Sequence, residues 1–176
     1  MGGACGCCCY CCRENYDTLA DSLYDITVNN IDKIPIKLSD FKGKVLIIVN
    51  VASQCGKTRR SYQELVHLEQ QYSSRGLCIL AFPCNQFFYQ ERGTSDQIKD
   101  FITKQGAHFT VFEKTDVNGS NASEVFKFLR KKSRLNRRKI CWNFGKFLID
   151  RNGHVVDYYG PSVYPMALSK DIEEIL

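Results

Sequence analysis

The apolar residues of this chain follow two different spacings, and each spacing indicates one kind of secondary structure. The segments VLIIV (45–49) and LCILAF (77–82) are continuous apolar runs, which are typical of strands buried on both faces of a sheet. Between them, residues on one helical face recur at intervals of three and four: Tyr62, Leu65, Leu68 and Tyr72. The pattern therefore predicts a strand, a helix and a second strand in succession.

Two hairpins are predicted, one before and one after this unit. LYDITVNN and IPIKL read as two short strands that turn near residues 30–32. FLIDRNGHVVDYY contains two apolar runs around Asn152 and Gly153, a pair that strongly favours a tight turn.

Two more helices are predicted from their starting residues. Thr94 and Gln97 form a capping-box pattern ahead of an apolar face made of Ile98, Phe101 and Ile102. Asn121 and Glu124 form a similar start ahead of Val125, Phe128 and Leu129. Together the elements predict an α/β fold, with a central mixed sheet flanked by helices and preceded by an N-terminal hairpin.

Length and composition favour a single folded domain. The chain has 176 residues, of which 44% are hydrophobic, and a usual domain contains about 100–150 residues. We expect residues 1–20 to form a cysteine-rich tail and residues 21–176 to form the domain. The apolar runs are much shorter than the roughly 20 residues that span a bilayer. Residues 1–12 also lack the features of a secretory signal, so an intracellular, cytoplasmic protein is expected.

Cys55 is the first candidate for chemistry. In the stretch NVASQCGKT it follows a predicted buried strand and precedes a helix that should begin near Thr58. The N-terminal end of a helix and the nearby Lys57 both favour an anion such as a thiolate. A dithiol site of the Cys-x-x-Cys type is excluded because position 58 is threonine. The sequence therefore predicts chemistry that uses one thiol.

Three stretches of the sequence resemble the signatures of the glutathione peroxidases, above all the phospholipid-hydroperoxide type. They are FKGKVLIIVNVASQCGKT, then GLCILAFPCNQF followed by QE, and finally WNFGKFLIDRNG. The resemblance runs from about residue 22 to the C-terminus. It implies a thioredoxin-like fold and a thiol-dependent peroxidase that reduces hydrogen peroxide, organic hydroperoxides and phospholipid hydroperoxides to water or alcohols.

The resemblance also implies the site residues. Cys55 stands where the family has its reacting selenocysteine or cysteine, and Gln90, Trp142 and Asn143 stand where it has the other members of a catalytic tetrad. The reaction would leave Cys55 as a sulfenic acid. Amide and indole N–H groups suit this role, because neutral donors can stabilise a thiolate and a departing oxygen. The resemblance implies no bound cofactor and no metal.

The reductant is expected to be glutathione. Relatives that use thioredoxin carry a resolving cysteine on the helix represented here by QIKDFITKQG, which has none. Cys84 and Cys141 are the candidate substitutes, so a thioredoxin-dependent peroxidase is the alternative. A third hypothesis is a redox sensor that passes oxidation to a partner protein.

The chain departs from the family pattern beside the predicted catalytic glutamine. Phe88 and Tyr89 replace the small glycines that are common there, and Arg92 replaces a proline. The loop that carries Gln90 should therefore be bulkier than in relatives.

Positive charge is concentrated in one segment. The chain carries a net charge of +5, and residues 127–139 contain eight basic side chains and no acidic one. We expect an anionic membrane surface to bind six of them: Lys131, Lys132, Arg134, Arg137, Arg138 and Lys139. Nucleic acid is disfavoured, because aromatic residues do not alternate with the basic ones. The short connection to the tryptophan motif, compared with tetrameric relatives, favours a monomer.

The N-terminal tail contains candidates for lipid attachment. Gly2 would become the first residue after removal of Met1, and six cysteines follow as sites for palmitoylation: Cys5, Cys7, Cys8, Cys9, Cys11 and Cys12. Gly6 departs from the usual myristoylation pattern. Zinc binding and an inert tail are the two alternatives, and closely spaced cysteines suit a structural zinc site poorly.

Overall fold

The computed structural model describes residues 13–176. Its centre is a five-stranded sheet with the strand order β5-β4-β3-β6-β7. These strands are β3 (Val45–Val51), β4 (Leu77–Pro83), β5 (Thr110–Val111), β6 (Lys146–Ile149) and β7 (Val155–Tyr159). The pairs β3–β4 and β4–β5 are parallel, and β3–β6 and β6–β7 are antiparallel. The predicted mixed sheet is therefore confirmed.

Both faces of the sheet are covered, as the continuous apolar runs predict. Every residue of β3 is buried. Because successive side chains of a strand point to opposite faces, Val45, Ile47 and Val49 lie in one apolar cluster, whereas Leu46 and Ile48 lie in the other.

Four α-helices are present in residues 13–176: α1 (Thr58–Tyr72), α2 (Ser95–Lys104), α3 (Glu124–Lys132) and α4 (Ser169–Ile175). The predicted inward face of α1 is confirmed, because all four of its residues are buried. The capping box of α2 is also confirmed, with both hydrogen bonds formed between Thr94 and Gln97.

The predicted start of α3 is wrong by two residues. Ser123, and not Asn121, is the N-cap residue, and its side chain makes no capping hydrogen bond. The N–H of Ala122 donates to the carbonyl of Gly119, and the N–H of Ser123 donates to the carbonyl of Asp116. Asn121 therefore belongs to a turn that ends before the helix begins. Val125, Phe128 and Leu129 are buried as predicted.

Both predicted hairpins are confirmed. The strands β1 (Thr27–Asn29) and β2 (Pro35–Lys37) form a separate antiparallel pair. The second hairpin joins β6 to β7, and Gly153 takes the left-handed conformation in its turn with φ of 86°. No helix within the described residues is long and apolar enough to span a bilayer.

The first described residues lie against α3. Glu14 is 8% exposed and Arg130 is 1% exposed, and the two form an ion pair. Glu14 also accepts a hydrogen bond from the N–H of Gly119 at 2.9 Å, and Thr18 donates to Glu124 at 3.0 Å. The lipid-attachment candidates at Gly2 and at the six tail cysteines lie outside the described residues.

Candidate active site

Cys55 lies in the loop that leads from β3 into α1, with 9% of its surface exposed. Its N–H donates to the hydroxyl of Thr58 at 3.1 Å, and that hydroxyl donates to the carbonyl of Ala52 at 2.6 Å. The side chain of Thr58 thus closes the turn before α1, which begins at the predicted residue. The thiol is held at the C-terminal edge of a parallel pair of strands, a usual position for ligand sites in α/β folds.

The other predicted residues are linked to this loop by hydrogen bonds. The side-chain amide of Asn143 donates to the side-chain oxygen of Gln90 at 2.8 Å. The carbonyl of Gln90 accepts from the N–H of Gln54, next to Cys55, at 3.0 Å. The structure therefore brings the Cys55 loop, Gln90 and Asn143 into one connected group.

Trp142 joins the group through its ring. The ring centroids of Phe87 and Phe88, in the Gln90 loop, lie 5.9 Å and 5.4 Å from that of Trp142. Trp142 also packs against the apolar cluster that contains Cys55. All four residues of the predicted tetrad are thus brought to the same edge of the sheet.

Asn143 is fully buried, and in the described part of the chain only one of the two polar atoms of its side chain has a hydrogen-bond partner. Its Oδ1 atom has no hydrogen-bond partner within the described residues, although its Nδ2 atom donates to Gln90. Buried polar atoms are nearly always hydrogen-bonded. The Oδ1 atom of Asn143 is therefore an exception to this rule, next to the hydrogen bond that holds Gln90.

Asn50 is a positioning residue that the sequence analysis did not single out. It is fully buried in β3. Its side chain donates to the carbonyl of Trp142 at 3.1 Å and accepts from the N–H of Gly145 at 3.0 Å. A polar residue inside the apolar run VLIIVNV was the available signal.

Glu91 is the second residue that the sequence analysis missed, although it stands in the quoted QE pair. It is fully buried and accepts a hydrogen bond from the hydroxyl of Ser53 at 2.7 Å. Its N–H donates to the side chain of Asn85 at 2.9 Å. Burial raises the pKa of Glu91, and the hydrogen bonds from Ser53 oppose that rise. Glu91 connects the Cys55 loop to the Gln90 loop.

Lys146 is buried at the start of β6, behind the tryptophan motif. Its ammonium group donates to the carbonyls of Phe144 at 2.6 Å and Gly160 at 3.2 Å. Burial, together with the positive charge of Lys57, lowers the pKa of Lys146 to about 7. A neutral amine retains two N–H donors, which is enough for these two carbonyls.

The two candidate resolving cysteines differ in their surroundings. Cys84 is fully buried in the cluster on the other face of the sheet from Cys55. Burial raises the pKa of the Cys84 thiol to about 11, which disfavours its thiolate. Cys141 is partly exposed, and its sulfur lies 3.9 Å from the carbonyl oxygen of Lys139.

Much of the basic segment faces carboxylates of the same chain. Asp17 contacts Lys131 at 2.9 Å and Arg137 at 2.8 Å. Arg134 contacts Asp157 at 3.1 Å, and Lys139 lies 3.6 Å from Glu14. Lys132 lies over the ring of Phe128, and Arg138 donates to the carbonyls of Leu135 and Arg134. The surface is therefore less positive than the count of basic residues suggests.

Two cavities border each other beside Cys55, since both are lined by Ser53 and Phe101. One, of about 480 Å³, is also lined by Cys55, Gly56, Thr58, Arg59, Gln63 and Gln105. The other, of about 420 Å³, is also lined by Gln54, Arg92, Gly93, Gln97 and Ile98. We call the two together the α2 groove, because α2 supplies Phe101, Gln97 and Ile98.

Metal binding finds no support in the described part of the chain. Within residues 13–176, no three His, Cys, Asp or Glu side chains are grouped so that they could hold a metal ion. The tail cysteines lie outside these residues.

Comparison with known proteins identifies relatives of the whole domain. A model of the glutathione peroxidase family matches residues 23–130. A protein of Mesembryanthemum crystallinum named "Probable phospholipid hydroperoxide glutathione peroxidase" is 50% identical over 157 residues, which cover 88% of this chain and 92% of the plant protein. The "Glutathione peroxidase 1" of Helianthus annuus is 47% identical, with 88% and 94% covered.

Comparison with solved structures tests the predicted fold. The crystal structure of T. cruzi GPX1 is 36% identical, with a TM-score of 0.72 and coverage of 88% of this chain and 96% of that one. A thiol:disulfide interchange protein of the thioredoxin family from Chlorobium tepidum has a TM-score of 0.65 at 18% identity, with 92% and 98% covered. The predicted thioredoxin-like fold is therefore confirmed.

Proposed function

The chain belongs to the glutathione peroxidase family, and from this premise we propose that it reduces hydroperoxides through Cys55 with glutathione as the reductant. The observation that carries the assignment of the site is the pair of hydrogen bonds that connects Asn143 to Gln90 and Gln90 to the Cys55 loop. They bring three separate sequence motifs to one place.

In the proposed first step, the Cys55 thiolate attacks the terminal oxygen of a hydroperoxide. An S–O bond forms while the O–O bond breaks, so the sulfur is oxidised by two electrons to a sulfenic acid. The departing oxygen takes a proton and leaves as an alcohol or as water. The N–H groups of Gln90 and Trp142 stabilise the charge that develops on that oxygen. The side chain of Asn143 positions Gln90 through the hydrogen bond between them.

In the second step, the thiol of glutathione condenses with the sulfenic acid and releases water. A second glutathione then attacks the glutathione sulfur of the mixed disulfide, so that glutathione disulfide forms and Cys55 leaves as the regenerated thiolate. Three features support a small soluble thiol. The helix α2 carries no cysteine, Cys84 lies buried on the other face of the sheet, and the α2 groove is open beside Cys55.

The α2 groove also has charges that suit glutathione. Arg59 and Arg92 line its two halves, and both are exposed. Neither forms an ion pair with another residue in the described chain. Glutathione has two carboxylates, and guanidinium groups bind carboxylates well.

The proposal is tested by following peroxide consumption with glutathione plus glutathione reductase and, separately, with a thioredoxin system. Wild type should turn over faster with glutathione, and Cys55→Ser should be inactive with both while remaining folded. Arg59→Gln with Arg92→Gln should raise the KM for glutathione. Arg75→Gln, at an exposed position beyond the C-terminal end of α1, is the matched control. Activity in Cys55→Ser would contradict the assignment of the nucleophile.

The second candidate is a thioredoxin-dependent peroxidase or a redox sensor that uses Cys141. It is favoured by the partial exposure of Cys141 and by its position next to Trp142. One equivalent of hydroperoxide without reductant separates the two candidates. Sulfenic acid at Cys55, found by mass spectrometry after thiol blocking, agrees with glutathione, whereas a Cys55–Cys141 disulfide in high yield favours the alternative.

We also propose that the chain acts as a monomer inside the cell, with residues 1–20 as an acylated tail that holds it at an anionic membrane. Arg13, the first described residue, pairs with Arg138 as an isolated bridge, so the described chain begins beside the basic segment. Lys132 and Arg138 are the best residues for contact with headgroups, because they form no ion pair within residues 13–176.

The tail proposal is tested in cells by fractionation. Gly2→Ala, or serine at the six tail cysteines, should move the protein from membrane to soluble fractions. In vitro, Lys132→Glu with Arg138→Glu should weaken binding to anionic vesicles, whereas the same change at Lys170 should not. Equal membrane recovery for wild type and the tail variants would contradict the anchor.

A further inference from the structure

Phe88 and Tyr89 form an exposed aromatic pair beside the candidate active site. Phe88 is 76% exposed and Tyr89 is 69% exposed. Large apolar side chains that sit together in water usually mark a binding surface. We call these two residues the aromatic ridge.

The backbone holds the ridge in an unusual conformation. Both residues have positive φ, 53° for Phe88 and 54° for Tyr89. Bulky side chains rarely adopt this left-handed conformation, which costs about 1–2 kcal/mol per residue. Such strain persists only where the surrounding structure imposes it, and it is often found at functional sites.

The surrounding structure fixes the ridge from both sides. The N–H of Gln90 donates to the carbonyl of Phe87 at 3.2 Å. The guanidinium group of Arg92 donates to the carbonyl of Tyr89 at 3.0 Å. Beyond the ridge, the N–H of Glu91 donates to Asn85 at 2.9 Å. The loop is therefore closed on itself, and it directs two aromatic rings into the solvent.

The ridge is continuous with the reacting groups. The ring of Phe88 lies 5.4 Å from that of Trp142. The next residue along the chain from Trp142 is Asn143, which is hydrogen-bonded to Gln90. The ridge therefore adjoins the connected group that contains the Cys55 loop, Gln90 and Asn143.

We propose that the aromatic ridge binds the acyl chain of a lipid hydroperoxide and thereby places its peroxide group at Cys55. The inference rests on the proposed peroxidase function. A lipid peroxide carries its O–O bond partway along an apolar chain, so contact with the adjoining methylene groups positions the reacting oxygen. Hydrogen peroxide has no apolar part and gains nothing from the ridge.

The test compares two substrates in the full-length protein. Phe88→Asn with Tyr89→Asn removes the apolar surface, and asparagine tolerates positive φ better than most residues. The ratio of kcat/KM for linoleic acid hydroperoxide to kcat/KM for hydrogen peroxide should fall roughly 10- to 100-fold, as expected from losing contact with one or two aromatic side chains. Leu19→Asn is the matched control, because Leu19 is 95% exposed and belongs to the N-terminal segment. An unchanged ratio would overturn the inference.

A second measurement does not depend on turnover. Trp142 is the only tryptophan of the chain, so its fluorescence reports on ligands that lie against Phe88. A brominated fatty acid should quench this fluorescence saturably in wild type and in Leu19→Asn, and at least tenfold more weakly in the double variant. If the fatty acid quenches as expected but the protein has no peroxidase activity, the lipid-binding role of the ridge is supported and the proposed function is rejected. If the protein is an active peroxidase but all three proteins are quenched equally, the lipid-binding role of the ridge is rejected and the proposed function is supported.

Discussion

Replacing Asn50 should destabilise the fold and misplace Trp142. Its buried side chain satisfies the carbonyl of Trp142 and the N–H of Gly145. Asn50→Leu leaves both groups without this partner, at a cost of about 1–3 kcal/mol each, so the free energy of unfolding should fall by about 2–6 kcal/mol. Because Trp142 and Asn143 then lose their support, the rate of Cys55 oxidation should fall as well.

Asn50→Asp is the matched variant that tests the hydrogen bonds themselves. A protonated carboxyl group can still donate to the carbonyl of Trp142 and accept from the N–H of Gly145, whereas a carboxylate can only accept. Burial should raise the pKa of this aspartic acid, so the folded state binds the proton more tightly than the unfolded state does. Stability should therefore be near that of wild type at low pH and fall as the pH rises.

Urea unfolding, followed by the fluorescence of Trp142, measures both variants across a range of pH. Stopped-flow mixing with peroxide measures the oxidation of Cys55. We expect a penalty that depends on pH for Asn50→Asp and one that does not for Asn50→Leu. Losses below about 0.5 kcal/mol in both variants, the level of an ordinary surface substitution, would refute the positioning role.

Three further predictions test separate parts of the structure. Burial lowers the pKa of Lys146 to about 7 in the folded protein, from the ordinary value of 10.5 expected in the unfolded chain. Between these two values the unfolded chain binds more protons, so wild-type stability should rise by up to about 1.4 kcal/mol per pH unit. Lys146→Met should lack this rise in urea unfolding, and parallel pH curves would contradict the buried neutral amine. Glu14→Gln should lower the free energy of unfolding by about 3–5 kcal/mol, because Arg130 stays buried without its carboxylate, and adding Arg130→Met should restore most of the loss. Cys84→Ser should leave glutathione-dependent turnover unchanged, while a large loss of turnover would assign Cys84 a role in resolution.

The elements with a clear apolar period could be predicted from the sequence. The helix α1 has 15 residues and the strands β3 and β4 have seven each, which is long enough for a spacing to be recognised. The short elements could not be predicted in this way. The strand β5 has two residues and α4 has seven, and they are held by neighbours that are distant in sequence.

The start of α3 shows where local patterns fail. The prediction used Asn121, and Ser123 is of a residue type that is equally favourable at an N-cap, so residue type alone does not decide between them. The hydrogen bonds of Ala122 to Gly119 and of Ser123 to Asp116 decide between them. These bonds depend on the path of the preceding loop, which a capping pattern does not contain.

For the site, the sequence could supply residue types but not their partners. Cys55, Gln90, Trp142 and Asn143 were predicted from motifs, whereas Asn50 was missed, since its contact with Trp142 joins residues separated by 92 positions. A buried polar residue in an apolar strand was visible in the sequence. Its purpose was not, because it depends on the pairing of β3 with β6.

The basic segment and the aromatic ridge lead to different expectations about how lipids are recognised. Asp17, Asp157 and Glu14 already lie within 4 Å of four of the six basic residues that were assigned to a membrane. Each of these cations would have to leave a carboxylate in order to meet a phosphate, so the net gain per residue is small. Exposed charges are also screened beyond about 8 Å at physiological ionic strength. The contacts of the ridge are apolar and are not weakened by screening. Selection among peroxides should therefore depend on the surface next to Trp142, and the charged segment should act mainly on the orientation of the protein at a membrane.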